Sequence, residues 1–136
     1  MRPRPSFAVL AVIWLGTSVF GANPQANPTN TVKVIHMTTA KQFNPKTLTI
    51  AVGDTVEWVN DDNGNLHNAT TDKNATDIPK AIQMPKGAKP FNSGLMTPGK
   101  HYRYLFTVPG TYRYVCVPHQ PEMVGTIIVQ EKQAQE

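Results

Sequence analysis

The sequence is poor in cysteine, because Cys116 is the only one among its 136 residues. A single cysteine cannot form an internal disulfide, so the fold must be stabilised without one. A leftover cysteine in an exported protein requires another role, either in an intermolecular bridge or as a reactive or metal-bound thiol. Metal binding is the best of these explanations, because it occupies the thiolate.

Charge is also sparse, since charged residues make up 16% of the chain and leave a formal net charge of +4. Loss of Arg2 and Arg4 with an N-terminal leader would reduce that charge to +2, from 13 − 2 = 11 basic and 9 acidic residues. The basic residues are scattered, and no RNA-binding aromatic motif accompanies them. We therefore expect no nucleic acid partner and no strong attraction to an anionic membrane.

The longest apolar run, residues 7–20, is short for a membrane span and follows a short basic start. This pattern predicts a secretory signal peptide, with an uncleaved membrane anchor as the alternative, and hence a periplasmic or otherwise exported protein. The polar, proline-containing stretch that follows predicts a flexible lead. The expected organisation is a signal peptide over residues 1–22, a lead over 23–30, one folded domain over 31–131 and a disordered tail over 132–136.

Short alternating segments rich in β-branched and aromatic residues occur between glycine- and proline-containing turns. They predict strands over residues 31–37, 47–52, 55–60, 67–70, 100–108, 112–116 and 124–130. Phe43-Asn44-Pro45 is expected to end the first strand, and residues 71–98 to be irregular. The seven to eight strands predict an all-β Greek-key β-sandwich. Its core should include Trp58 and the side chains of Tyr112, Tyr114 and Cys116, which share one strand face.

Three soft or nitrogen donors fall within eight residues, at Cys116, His119 and Met123. A turn between two predicted strands would bring all three to one end of the sandwich. A thiolate with two imidazoles and a weak thioether bond is the blue-copper arrangement. His67 is the candidate for the second imidazole.

The surrounding residues resemble the plastocyanin branch of the cupredoxins. They read Gly-Thr-Tyr at residues 110–112, Cys-Val-Pro-His at 116–119 and Met-Val-Gly at 123–125, with His67 followed by Asn68. The resemblance implies one type 1 copper ion held by His67, Cys116, His119 and Met123. Three residues separate His119 from Met123, whereas plastocyanins usually have four and amicyanins two. The axial position of Met123 is therefore the point where the pattern departs from both groups.

The resemblance also implies that Asn68 ties the His67 segment to the Cys116 loop. Pro118 lacks a backbone N–H, which removes a donor that would otherwise reach the cysteine sulfur. We expect the edge of His119 to reach the surface inside an apolar rim formed by Leu66, Pro118 and Pro121. Such a rim suits transient docking of redox proteins, with weak electrostatic steering from Lys80, Lys86 and Lys89.

The predicted function is an exported, monomeric electron carrier that passes single electrons between a donor and an acceptor protein, and is not an enzyme. The alternative is copper delivery or storage, for which Met84 and Met96 could supply exposed thioethers. Four histidines are too few for the additional centres of a copper oxidase or reductase. A hydrolase is not supported, because the cysteine and histidine lie beside a methionine rather than an acid.

The acidic cluster at Asp61-Asp62-Asn63-Gly64-Asn65 predicts a turn before His67. It lacks the regular spacing and the closing glutamate of a calcium-binding loop. We therefore expect a structural turn here rather than a second metal site.

Overall fold

The structure is a computed structural model that describes Gly21 and residues 29–133. The predicted signal peptide, apart from Gly21, lies outside these residues, as do most of the predicted lead and the end of the predicted tail. The strands of the described part are β1 (Val32–Met37), β2 (Phe43–Asn44), β3 (Thr47–Ala51), β4 (Thr55–Asn60), β5 (His101–Leu105), β6 (Gly110–Val115) and β7 (Val124–Gln130). Short 3₁₀ helices occur at Lys73–Ala75, Pro79–Ala81 and Val117–His119.

The strands form two sheets that pack face to face. One sheet has the order β2-β1-β4-β5 and the other the order β3-β7-β6. Two pairs, β1 with β4 and β3 with β7, are parallel, and the other pairs are antiparallel. The prediction of an all-β sandwich is confirmed. No helix in the described residues is long and apolar enough to cross a membrane.

Alternating residues of the strands form the core between the sheets. Trp58 on β4 is fully buried, and its ring lies 5.1 to 6.4 Å, centroid to centroid, from four other aromatic rings: Phe91, Tyr102, Phe106 and Tyr114. The predicted inward face of β6 is confirmed, since Tyr112, Tyr114 and the following Cys116 are all buried. These rings contribute large apolar areas, so the core does not depend on a disulfide.

Two local predictions are wrong. Residues 67–70 are not a strand, because His67 and Thr70 form only isolated bridges, and to three different partners: Met96, Asn92 and Val115. The side chain of Asn68 accepts a hydrogen bond from the Val117 N–H in this stretch, and no regular ladder continues through it. The expected break after the first strand contains a short strand instead, since Phe43 and Asn44 pair with the end of β1.

Candidate metal centre

The loop between β6 and β7 presents three of the predicted donors. Cys116 follows β6 directly, the 3₁₀ turn Val117–His119 comes next, and Met123 precedes β7. Pro118 is the second residue of this turn, where its fixed φ suits the helical geometry. The Cys116 N–H donates to the Met123 carbonyl at 3.0 Å, and the Met123 N–H donates to the His119 carbonyl at 3.0 Å. Main-chain hydrogen bonds therefore close the loop without using the donor side chains.

His67 comes from a separate segment that is held against this loop. Its backbone exchanges hydrogen bonds with Met96, at 3.3 Å for the His67 N–H and 2.8 Å for the His67 carbonyl. The Asn68 N–H points at the Cys116 sulfur at 3.4 Å, and the Asn68 side-chain oxygen accepts from the Val117 N–H at 2.6 Å. The predicted tie between the two segments thus uses both the backbone and the side chain of Asn68.

The structure brings His67, Cys116 and His119 together. The Cys116 sulfur lies 3.7 Å from Nδ1 of His67 and 3.5 Å from Nδ1 of His119. One ligand atom from each residue lies within 4.8 Å of the other two. His67 and Cys116 are fully buried, whereas His119 is half-buried. Both imidazoles therefore direct the same ring nitrogen at the sulfur, and one of them has an edge near solvent.

Met123 is buried, with 1% of its surface exposed, and it packs in the same core cluster as Cys116. Its backbone is fixed by the two hydrogen bonds that close the loop. The three-residue spacing therefore still returns the methionine to the core beside the start of β7.

Burial raises the pKa of the Cys116 thiol, although backbone N–H groups of Asn68 and His119 act in the opposite direction. Burial also lowers the pKa of His119, and electrostatic interactions with His67 and Lys41 add to this effect, whereas Asp62 acts in the opposite direction. Both shifts favour the uncharged forms of these groups when no cation is present. A bound cation would have to displace the thiol proton, which couples metal binding to proton release.

The donor set fits copper. Thiolate and thioether sulfur suit Cu(I), imidazole nitrogen suits Cu(II), and hard cations such as calcium and magnesium require oxygen ligands. The carboxylate of Asp62 contacts Nε2 of His67, the ring nitrogen that does not face the Cys116 sulfur.

Two features of the site were missed by sequence reasoning. Asp62 lies in the predicted turn but is buried, and its Oδ2 is 3.0 Å from Nε2 of His67. Leu95 has 64% of its surface exposed and precedes Met96, the backbone partner of His67. The only sequence signal for Asp62 is an acid five residues before the histidine, which a turn explains equally well. Leu95 stands in a stretch without periodicity.

Comparison with known proteins places the chain among copper proteins. The family model described as "Copper binding proteins, plastocyanin/azurin family" matches residues 30–130. The plastocyanin of Prochlorothrix hollandica is 36% identical over 123 residues, which cover 89% of this chain and 88% of that protein. The similarity to this relative therefore extends over nearly the whole length of both chains.

Solved structures show the same fold. A mutant of amicyanin in its reduced form matches with a TM-score of 0.56 and 26% identity, over 73% of this chain and 82% of that one. The copper-containing nitrite reductase of Thermus scotoductus SA-01 matches with a TM-score of 0.59 and 32% identity, over 79% of this chain. The match covers only 24% of the reductase chain, so the similarity concerns one part of that enzyme.

Proposed function

Because this chain belongs to the plastocyanin/azurin family of copper-binding proteins, we propose that its single type 1 copper ion is held by four side chains: His67, Cys116, His119 and Met123. The protein is a blue-copper electron-transfer protein. One observation carries the assignment of His67, Cys116 and His119, which is the convergence of two imidazole nitrogens and one sulfur within 4.8 Å. The assignment of Met123 is supported by its burial in the same core cluster as Cys116. Copper, when bound, supplies a one-electron couple between Cu(II) and Cu(I).

The chain's own contribution is to hold its donors in place. The loop from Cys116 to Met123 is closed by main-chain hydrogen bonds, and the His67 segment is tied to it through Asn68 and Met96. Burial excludes water from the sulfur and from His67. Such a site has little need to rearrange when one electron is gained or lost, and this supports electron transfer rather than catalysis on a substrate.

We also propose that the protein is not an enzyme. Within the described residues, only one group of three or more histidine, cysteine or acidic side chains is close enough to hold a metal ion. The similarity to nitrite reductase covers too little of that enzyme to transfer its activity.

Copper delivery or storage is not favoured. That function would need exposed thioethers, but Met96 is 4% exposed and Met84 is partly buried against the core cluster. Both methionines therefore contribute to packing. Export to the periplasm, or to another compartment outside the cytosol, is part of the proposal and is supported by the apolar N-terminal run that follows a short basic start.

The function is tested by copper titration of the metal-free protein followed by spectroelectrochemistry. We expect saturation at one copper per chain and a reversible one-electron couple. Binding of several Cu(I) ions without a reversible couple would instead indicate storage and would overturn the proposal.

Substitution of Met123 by glutamine should shift the reduction potential and alter the EPR spectrum while copper still binds. The reason is that the axial ligand tunes a type 1 centre without being its main source of affinity. Met84→Gln is the matched control, since Met84 lies outside the loop from Cys116 to Met123 (the ligand loop), and this variant should leave both quantities unchanged. A Met123→Gln protein with an unaltered potential and EPR spectrum would assign the axial position to another donor.

Docking of redox partners is proposed at the surface around His119. Leu66 is 43% exposed and Leu95 64% exposed, and both adjoin the His67–Met96 bridge. Pro118 and Pro121 are also exposed in the ligand loop. The predicted apolar rim of Leu66, Pro118 and Pro121 is thereby extended by Leu95. It supports brief contact through a small interface, below about 1,200 Å², while the exposed Lys80, Lys86 and Lys89 would favour an acidic partner.

Substitution of Leu66 by glutamate should slow electron transfer to the redox partner about tenfold or more, because a desolvated charge weakens a small transient interface. Stopped-flow kinetics would measure this rate, and the copper spectrum should not change. Leu105→Glu is the matched control, since Leu105 is similarly exposed at 52%. Leu105 pairs with Thr55 at the start of β4. The opposite end of β4 carries Asn60, which bonds Met96 beside the metal centre. Equal rates for the two variants would place the docking surface elsewhere.

A further inference from the structure

A buried carboxylate contacts the metal centre from behind one of its histidines. Asp62 is 2% exposed and His67 is fully buried. Asp62 Oδ2 lies 3.0 Å from Nε2 of His67, whose other ring nitrogen faces the Cys116 sulfur at 3.7 Å. The imidazole of His67 therefore lies between a carboxylate and the sulfur.

The surroundings of Asp62 are those of an ionised carboxylate. Its Oδ1 accepts from the N–H groups of Gly64 and Asn65 at 3.0 and 3.2 Å, and its Oδ2 accepts from the Asn65 amide at 2.9 Å. With His67 this makes four donors around one side chain. Hydrogen bonds of this kind stabilise the charged form of a carboxyl group.

The turn that carries Asp62 is itself fixed. Asn60 accepts from the Asp62 N–H at 3.0 Å and donates to the carbonyls of Asn65 and Met96 at 3.0 and 2.8 Å. Met96 in turn pairs with the backbone of His67. The carboxylate and the imidazole are thus held by the same network, which leaves little freedom for either to turn away.

This contact decides which nitrogen of His67 is free. A carboxylate accepts hydrogen bonds, so His67 must carry its proton on Nε2 to pair with Asp62. The lone pair is then on Nδ1, the nitrogen that faces Cys116. A carboxylate behind a metal-binding histidine fixes the ring and makes it a stronger donor.

We propose that Asp62 is a positioning residue that orients His67 and, through its buried negative charge, lowers the reduction potential of the copper centre. The proposal rests on the ligand assignment above. The oxidised centre carries one more positive charge than the reduced centre, and a fixed anion favours the more positive state. Solvent does not screen this charge strongly, because Asp62 and His67 are both buried.

The matched pair of variants is Asp62→Asn and Asp61→Asn. Both remove one negative charge from neighbouring residues, but Asp61 is exposed and pairs with the exposed His36 instead of a ligand. We expect Asp62→Asn to reduce the preference for Cu(II) over Cu(I) about tenfold, which raises the potential by ~59 mV for a one-electron couple. Asp61→Asn should match the wild type.

A second measurement is made on the metal-free wild-type protein by ¹⁵N NMR of the histidine side chains. At about pH 8, where an ordinary histidine is neutral, His67 should carry a slowly exchanging proton on Nε2. A proton on Nδ1 would overturn the proposal, and this test also decides the matter if Asp62→Asn does not fold.

The outcomes separate this proposal from the ligand assignment. A wild type that binds no blue copper would refute the copper site itself. A blue wild type whose potential is the same in Asp62→Asn as in Asp61→Asn would leave the copper site intact and refute the role of Asp62.

Discussion

Replacement of Cys116 by serine should abolish the intense visible absorption of the Cu(II) protein while the β-sandwich stays folded. The absorption arises from charge transfer between the thiolate and copper, and a serine hydroxyl cannot replace the thiolate. The fold should survive because the substitution is nearly isosteric, and the core is dominated by Trp58 and the aromatic residues around it.

Two measurements check this prediction. The visible spectrum of the copper-loaded variant should lack the strong band, and its circular dichroism should match that of the wild type. His101→Asn is the control, because His101 is an exposed histidine that bonds Glu57 outside the metal centre, and this variant should remain blue. A blue Cys116→Ser protein would show that the thiolate is not a ligand.

Replacement of Gly125 by alanine should destabilise the protein by about 3 kcal/mol or more, at the upper end of the cost of overpacking a core. An added Cβ would overlap the phenol ring of Tyr114, approaching its Cε1 to 2.7 Å and its Cζ and hydroxyl more closely still. Tyr114 is fully buried among aromatic rings, so it has no room to move aside. Urea denaturation followed by tryptophan fluorescence would measure the loss.

Gly64→Ala is the matched control, because nothing lies within 4 Å of the position of its Cβ, and its stability should stay near that of the wild type. Tyr114→Phe should rescue little of the stability lost in Gly125→Ala, because the ring carbons Cζ and Cε1 that overlap the added Cβ remain in phenylalanine. The hydroxyl of Tyr114 has no hydrogen-bond partner of normal geometry in the described structure, so its removal alone should cost little. A Gly125→Ala protein as stable as the control would contradict the close packing of β6 against β7.

The parts of the fold that follow from local sequence were predictable. Alternation around Tyr112 and Tyr114 gave the correct inward face of β6, because side chains on a strand alternate between its two sides. Cys116, His119 and Met123 could be grouped because one short loop carries all three. That these three residues lie close together can therefore be inferred without knowing any contact between distant segments.

The rest depends on contacts between segments that lie far apart in sequence. His67 is 49 residues from Cys116, and it is a candidate because a blue-copper site needs a second imidazole and because of the resemblance to plastocyanins, not because of any local pattern. Residues 67–70 look like a strand by composition, but their hydrogen bonds go to several distant partners instead of one neighbouring strand. In the sequence, Asp62 looks like a residue that only stabilises its own turn. Its burial against His67 depends on the hydrogen bonds that Asn60 makes with Asp62 and Met96.

The most direct test is the absorption and EPR spectrum of the wild-type protein loaded with one equivalent of Cu(II). A type 1 centre formed by His67, Cys116, His119 and Met123 predicts an intense blue charge-transfer band together with a type 1 EPR signal. A pale protein with the EPR signal of ordinary tetragonal Cu(II) would contradict the account.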